Sequence, residues 1–162
     1  MDKIEFRRRL QMFSLLEAPG HLLRRNHQRS YEIFVRVVGD DVTRQQIALL
    51  VALAKQQGAS QSDLVEATGI DKSTMKEMIG RMVSRGWVER ERDPQDNRAW
   101  VMKITEGGCV LLAERLPRVE EAQRQIIAPL SPVDREIFLR CLRLMAGIDA
   151  DPGQDVSEDG SI

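Results

Sequence analysis

Two short helical segments follow each other in the sequence with only three residues between them. Ser60 and Asp63 have the spacing of a capping box, which predicts a helix that ends before Gly69. Asp71 begins a second helix, which ends near Gly86. The apolar positions of this second helix are Met75, Met78 or Ile79, Met82 and Val83. Two helices joined so closely are typical of a helix-turn-helix, and this spacing constrains the fold more than any other feature of the chain.

The residues after these helices change to the alternating pattern of β-strands. Residues 87–92 and 99–105 alternate between bulky and charged side chains, and residues 93–97 between them have the composition of a turn. We therefore expect a two-stranded hairpin with a polar tip. A helix-turn-helix followed by such a hairpin is a winged helix-turn-helix, which is predicted here over residues 43–105.

Further helices flank this motif. Thr43 and Gln46 form a second capping box at the start of one of them. The predicted apolar face of that helix is Ile47, Leu50, Val51 and Ala54. Residues 21–38 and 105–147 are also predicted to be helical, and they are more apolar than the core of so small a module requires. The predicted fold is mainly α, with a small β-hairpin wing and with N- and C-terminal helices that pair two copies of the chain.

The charge of the chain is unevenly distributed. The 162 residues have a net charge of −1, but residues 148–162 carry five acidic and no basic residues, so residues 1–147 have a net charge of +4. We expect residues 148–162 to be a disordered acidic tail and residues 1–147 to be one domain. No apolar run is long enough for a membrane span, and residues 1–10 mix acids with arginines, so we expect a cytoplasmic protein without a membrane partner.

Few residues suit catalysis or metal binding. Cys109 and Cys141 lack metal-ligand spacing, and the two histidines, His21 and His27, do not complete a zinc site. No nucleophile stands at a recognisable spacing from a base, so we expect neither enzymatic activity nor a metal or other cofactor. Because both cysteines lie among apolar residues, we expect inert, buried thiols, with oxidation of a reactive thiol as the alternative.

Residues 43–108 contain a series of recognisable segments. They are Thr43-Arg44-Gln45-Gln46-Ile47-Ala48-Leu49-Leu50, Ser60-Gln61-Ser62-Asp63-Leu64, Asp71-Lys72-Ser73-Thr74, Arg85-Gly86-Trp87-Val88-Glu89-Arg90, Asp93-Pro94-Gln95-Asp96-Asn97-Arg98-Ala99 and Ile104-Thr105-Glu106-Gly107-Gly108. This series resembles the MarR family of transcriptional regulators, and the two segments of the hairpin are the most specific part. The resemblance implies a homodimeric repressor that leaves its operator DNA when a small molecule binds. A dimer of this kind reads an inverted repeat.

A shorter resemblance lies in the first long helix. Leu22-Leu23-Arg24-Arg25, with His27 and Gln28, is similar to family members that control the breakdown of aromatic acids, some of which sense aromatic acids or their coenzyme A thioesters. An arginine pair can bind a carboxylate or a phosphate, and aromatic side chains add packing. The predicted ligand-binding residues are Arg24, Arg25, His27, Tyr31 and Phe34. A solvated or dimer-bridging basic face is the alternative.

The helix that begins at Asp71 is expected to be the recognition helix, whose N-terminal residues face the base edges of double-stranded DNA. Free amides at the start of the preceding helix suit a phosphate. The predicted DNA-binding residues of the two helices are Ser60, Gln61, Ser62, Lys72, Ser73, Thr74, Lys76 and Arg81. The alternative is a solvated surface in which Ser60, and either Asp71 or Ser73, act only as caps. Gly80, inside the recognition helix, either permits a close backbone approach or has no role.

The tip of the hairpin carries two further candidates for DNA contact. Arg98 is a long cation that suits a narrow minor groove, and Asn97 can reach a sugar or a phosphate. Asp96 is expected to hold the guanidinium of Arg98. The alternative is that Asp96, Asn97 and Arg98 serve only to keep an exposed turn soluble.

The strands of the hairpin carry alternating charges. Arg90 and Arg92 alternate with Glu89 and Glu91, which we interpret as a cross-strand charge ladder rather than as DNA contacts. Trp100 is expected to contribute to packing. A rival interpretation of the whole chain is a helical interaction protein that binds a partner through its apolar end helices and binds no DNA. The polar tip and the short, self-capped Ser60 helix favour DNA binding.

Overall fold

The computed structural model describes residues 1–148, and the predicted acidic tail lies outside them apart from Ile148. The helices are α1 (Lys3–Met12), α2 (Pro19–Val38), α3 (Arg44–Lys55), α4 (Gln61–Thr68), α5 (Lys72–Ser84), α6 (Glu106–Ile127) and α7 (Pro132–Met145), with a turn of 3-10 helix at Leu15–Glu17. The strands are β1 (Ala59–Ser60), β2 (Val88–Arg92) and β3 (Trp100–Ile104). The chain forms two compact units, residues 1–123 and a second that begins at Arg124 within α6.

Polar side chains begin α3 and α4 where the sequence predicted them. Thr43 Oγ1 accepts the N–H of Gln46 at 3.2 Å, and Gln46 Oε1 accepts the N–H of Thr43 at 2.9 Å. Ser60 and Asp63 exchange the same two kinds of hydrogen bond at the start of α4. Gly69 follows α4 with a φ of +67°, a left-handed conformation that glycine adopts without strain. Both capping boxes and the stop at Gly69 are therefore confirmed.

The core of the first unit lies between α3, α4, α5 and the sheet. Its largest buried side chains include Leu49, Leu50, Leu53, Leu64, Met75, Met78, Ile79, Met82, Val88, Met102 and Ile104. Two predicted faces were partly wrong. On α3, Val51 is half-buried and Ala54 is exposed, because Leu49 and Leu53 take the core positions. On α5, Val83 is exposed.

The sheet has three strands instead of the predicted two. All pairs are antiparallel, in the order β1-β3-β2, with Ala59 opposite Met102 and Ser60 opposite Val101. The additional strand β1 lies just before α4, and Gly58 N–H donates to the carbonyl of Met102 at 3.0 Å. The pairing of β1 therefore joins the helix-turn-helix directly to the wing.

The start of α6 packs at Gly108 against the base of the wing, just before β2. A Cβ at Gly108 would overlap the carbonyl oxygen of Trp87, so no residue larger than glycine fits at this position. Thr105 Oγ1 donates to the carbonyl of Gly86 at 2.6 Å and accepts the N–H of Gly108 at 3.1 Å. These contacts fix the direction in which the long helix leaves the sheet.

Several helices expose apolar side chains. The exposed residues include Phe6, Leu10, Leu22, Leu23, Leu116, Val133, Ile137, Leu144 and Met145. In the described chain neither α1, which the sequence analysis did not predict, nor α7 buries a residue. None of the helices within residues 1–148 combines the length and apolarity needed to cross a lipid bilayer.

The second unit contains the end of α6 and all of α7. Ser131 caps α7 by accepting the N–H of Asp134 at 3.2 Å. Arg135 Nε donates to the carbonyls of Ile127 at 3.2 Å and Leu130 at 3.0 Å. The guanidinium thereby binds carbonyl groups at the end of α6 and in the turn that follows it.

Candidate nucleic-acid interface and ligand cavity

The N-terminus of α5 is capped by Asp71. Asp71 Oδ1 accepts the hydroxyl of Ser73 at 2.6 Å and the N–H groups of Ser73 and Thr74 at 3.1 and 3.0 Å. The hydrogen bonds from Ser73, and next those from Thr74, hold the pKa of Asp71 well below its usual range. Of the two predicted caps, Asp71 is therefore the one the chain uses, and it is an anion at neutral pH.

The predicted DNA-binding residues of α5 lie on its solvent side. Lys72, Ser73, Thr74, Lys76 and Arg81 are all exposed, while Met75, Met78 and Met82 are buried. Gln61 joins the two helices of the motif, because its Nε2 donates to the carbonyl of Lys72 at 2.9 Å. Ser60 acts as the cap of α4, and Ser62 beside it is exposed.

A cleft of about 320 Å³ separates the recognition helix α5 from the wing. Its walls include Gln61 and Lys76 on the helix-turn-helix and Arg90 and Trp100 on the wing. Two cations thus face one concavity from two elements, an arrangement that suits a phosphate group. Arg90 is not among the DNA-binding residues predicted from the sequence, since only the register of the hairpin reveals which face Arg90 occupies.

The interpretation of the wing as an alternating charge ladder was wrong for its two arginines. In the hairpin Arg90 is opposite Met102 and Arg92 is opposite Trp100, whereas Glu89 is opposite Lys103. The acidic residues occupy the other face, where Glu91 forms an ion pair with Lys103 that raises the pKa of this lysine. Strand alternation therefore places the two arginines on the face that continues the core, and places the acids together with Lys103 on the opposite face.

The tip of the wing is held by its own backbone hydrogen bonds. Asp96 Oδ1 accepts the N–H of Arg98 at 2.9 Å, and the carbonyl of Asp96 accepts the N–H of Ala99 at 2.8 Å. The prediction that Asp96 holds the guanidinium of Arg98 was wrong in its detail, because this carboxylate contacts the backbone. Asn97 and Arg98 both have exposed side chains.

A second cavity, of about 240 Å³, lies beside α2 and the start of α3. Three of the five predicted ligand-binding residues line it, namely His27, Tyr31 and Phe34. Arg24 and Arg25 are exposed and lie outside this lining. Arg24 is seven residues before Tyr31 on α2, so it lies on the same face about 10 Å nearer the N-terminus.

Arg44 supplies the guanidinium of this cavity. Its Nη1 donates to Ser30 Oγ at 3.0 Å, its Nη2 lies 3.5 Å from His27 Nε2, and its Cζ lies 5.5 Å from the centre of the Tyr31 ring. Arg44 is partly buried and is the first residue of α3. The sequence gives no signal for this residue, because its contacts depend on how α2 and α3 meet.

The comparisons with known proteins agree with this architecture. The sequence profile of the MarR family matches residues 40–99. The HTH-type transcriptional repressor NicR of Pseudomonas putida is 31% identical over 142 residues, which cover 87% of this chain and 90% of NicR. The chain belongs to the MarR family.

Two solved structures have the same fold as this MarR-family protein. BpsR of Bordetella bronchiseptica, whose DNA binding is regulated by 6-hydroxynicotinic acid, is 34% identical with a TM-score of 0.81, over 86% of this chain and 99% of BpsR. PcaV of Streptomyces coelicolor, solved with its natural ligand, is 31% identical with a TM-score of 0.80, over 83% of this chain and 96% of PcaV. This MarR-family chain is a transcriptional regulator with a DNA-binding winged helix.

The cysteines of this MarR-family regulator differ from their prediction. Cys109 and Cys141 are both exposed in the chain, so the expectation of buried thiols was wrong. Ile137 and Met145, four residues to either side of Cys141 on α7, are exposed as well. Within residues 1–148 no three histidine, cysteine or acidic side chains are grouped as a metal site.

Proposed function

We propose that this MarR-family regulator is a homodimeric repressor that binds an inverted-repeat operator and is released by a small anionic aromatic molecule. The observation that carries the proposal is the exposed cationic surface of α5, which adjoins the wing across a cleft lined by Lys76 and Arg90. Phosphates require cations, and base edges require polar side chains on a helix that fits the major groove. The relative NicR is itself named a repressor.

In this proposal the recognition helix and the wing bind different grooves. The residues of α5 that contact the major groove or its phosphates are Lys72, Ser73, Thr74, Lys76 and Arg81. Ser60, Gln61 and Ser62, at the start of α4, contact the same groove or its phosphates. Arg98, with Asn97 beside it, enters the adjacent minor groove. Arg90 joins the phosphate contacts from the cleft.

The exposed apolar side chains of α2, α6 and α7 support the homodimer. Exposure of apolar side chains such as Leu22, Leu116 and Ile137 to water is unfavourable. In a homodimer, a second copy of the chain covers these side chains at an isologous interface. The two recognition helices of a symmetric dimer then bind half-sites about 34–36 Å apart.

The cavity at Arg44 supports an anionic aromatic effector. A guanidinium binds a carboxylate through two parallel hydrogen bonds, and Tyr31 and Phe34 offer surfaces for an aromatic ring. DNA binding by the relative BpsR is regulated by 6-hydroxynicotinic acid, which carries a carboxylate and an aromatic ring. The volume of about 240 Å³ is small for a ligand pocket, so it favours a free acid over a coenzyme A thioester.

A mobility-shift titration with the DNA upstream of the regulator's own gene tests this function. We expect a shift that 6-hydroxynicotinic acid or a hydroxycinnamic acid reverses in the wild type and fails to reverse in Arg44→Gln. A protein that binds a helical partner instead of DNA would give no shift. Release by peroxide, with no response to either acid, would favour the exposed Cys109 or Cys141 as the sensor.

A further inference from the structure

Arg92 and Trp100 form a stacked pair at the outer end of the wing. They are cross-strand partners, Arg92 as the last residue of β2 and Trp100 as the first residue of β3. The guanidinium carbon of Arg92 lies 4.1 Å from the centre of the Trp100 ring. Trp100 remains 48% exposed, so its ring is at the surface and the arginine lies over it.

The same guanidinium reaches the residue proposed to enter the minor groove. Arg92 Nη1 donates to the carbonyl of Arg98 at 3.3 Å, and Asp96 Oδ1 accepts the N–H of Arg98 at 2.9 Å. Both backbone polar groups of Arg98 are therefore held by side chains of the wing. The side chain of Arg98 stays exposed.

Only arginine among the cations can make both contacts of Arg92 at once. Its guanidinium is planar, so its face stacks on an indole while its edge donates hydrogen bonds. A lysine at this position keeps the charge but has neither the flat face nor the fork of donors. An exposed turn that is ordered before it binds loses less conformational entropy on binding, which strengthens the complex.

We propose that Arg92 and Trp100 are positioning residues for DNA binding. Arg92, oriented by the Trp100 ring, holds the peptide of Arg98 so that the Arg98 side chain is presented to the minor groove. This inference rests on the proposed function, in which Arg98 contacts DNA. The competing role for Arg92 is a direct phosphate contact, which makes a different prediction for the double variant.

A double-mutant cycle in operator affinity separates these roles. The full-length wild type, Arg92→Ala, Arg98→Ala and the double variant are titrated onto the same duplex at several salt concentrations. We expect Arg92→Ala to weaken binding roughly three- to tenfold, and to have no further effect once Arg98 is alanine. An additive loss in the double variant, with a salt slope lower by about 0.9, would mean a phosphate contact and would overturn the proposal.

Conservative variants test the stacking directly. We expect Arg92→Lys to bind as weakly as Arg92→Ala, and Trp100→Phe to bind more tightly than Trp100→Leu, because a phenyl ring retains part of the stack. Full affinity in Arg92→Lys would show that charge suffices, which contradicts the proposal. Lys103→Ala, on the other face of the wing, is the matched control and should bind as the wild type does.

Hydroxyl-radical footprinting provides a readout that a loss of stability would not mimic. We expect Arg92→Ala to lose protection in the minor groove beside the wings, as Arg98→Ala does, and to keep the protection made by the recognition helices. Normal wing protection in Arg92→Ala would overturn the positioning role while leaving the proposed function intact. If Arg98→Ala itself binds and protects normally, the proposed minor-groove contact is wrong and the positioning role is wrong with it.

Discussion

Arg115 on α6 forms an ion pair with Asp41 in the turn between α2 and α3, with 2.9 Å between Nη2 and Oδ2. Its Nη1 also donates to the carbonyl of Val38 at 2.9 Å, and the carbonyl of Asp41 accepts Arg85 Nη1 at 3.2 Å. The turn that lines the Arg44 cavity is therefore fastened both to the long helix and to the end of the recognition helix.

These contacts predict that Arg115→Gln destabilises the protein by about 1–2 kcal/mol, as the loss of hydrogen bonds to a charged donor does. Asp41→Asn should cost less, because Arg115 keeps its bond to Val38 and because Asp41 is half exposed. Urea unfolding measures both, with the exposed Arg118→Gln as the control. Equal stability of Arg115→Gln and Arg118→Gln would show that the junction contributes nothing.

Effector binding should depend on Arg44 more than on any other arginine near α2. Calorimetry with 6-hydroxynicotinic acid is expected to show at least tenfold weaker binding to Arg44→Gln, because hydrogen bonds to charged groups contribute about 1.5–3 kcal/mol. Arg25→Gln is the control, since Arg25 lies outside the cavity lining. If the loss appears in an Arg24→Ala, Arg25→Ala double variant instead, the ligand binds along α2 and the thioester becomes the better candidate.

Two glycines should respond in opposite ways to substitution by alanine. A Cβ at Gly80 meets nothing within 4 Å, so Gly80→Ala should stabilise the recognition helix by up to about 1 kcal/mol. Gly108→Ala should destabilise the protein, because its Cβ would overlap the carbonyl of Trp87. Thermal unfolding distinguishes the two. Weaker operator binding by Gly80→Ala would indicate that DNA approaches the α5 backbone at Gly80.

The stability of the protein should fall in acid partly through Asp71. The pKa of this carboxyl is lowered in the folded state, so its contribution is present above the unfolded pKa of about 3.9 and is lost as the pH falls towards the folded value. Asn can still cap the helix but does not titrate. The melting temperature of Asp71→Asn should therefore decline less below pH 4 than that of the wild type, and parallel declines would contradict this assignment.

The parts of the fold that depend on residues close together in the sequence were predictable from the sequence. Both capping boxes, Gly69 and the hairpin follow from local chemistry, and they were found at the expected positions. Strand β1 has two residues, too few for an alternating pattern, and exists only because β3 offers it an edge. Arg44 was missed for a related reason, since its contact with His27 joins residues 17 positions apart in the chain.

The charges on β2 are a second case in which the sequence pattern alone was not enough to predict the structure. The alternation of Arg90 and Arg92 with Glu89 and Glu91 is plain in the sequence, but which set faces the core depends on the pairing with β3. Val88, at the start of β2, is buried opposite Ile104, and the two arginines follow it on the same face. The cationic cleft beside α5 therefore depends on the pairing register of β2 with β3.

Wing contact with DNA predicts a specific defect in Arg98→Ala. The variant should keep the dimer and the melting temperature of the wild type, because an exposed tip contributes little to folding. Its operator affinity should fall sharply, and its salt slope should fall by about 0.9, because a cation in the minor groove releases counterions as a phosphate contact does. Unchanged affinity and salt dependence in a fluorescence-anisotropy titration would refute the wing assignment.

Sedimentation velocity of the regulator with a labelled duplex from upstream of its own gene tests the central claim most directly. The account predicts a dimer at micromolar protein concentration and a complex of two chains on one duplex that carries an inverted repeat, which dissociates as salt is raised. A monomer under these conditions, or a duplex that sediments unchanged in the presence of the protein at low salt, would contradict it.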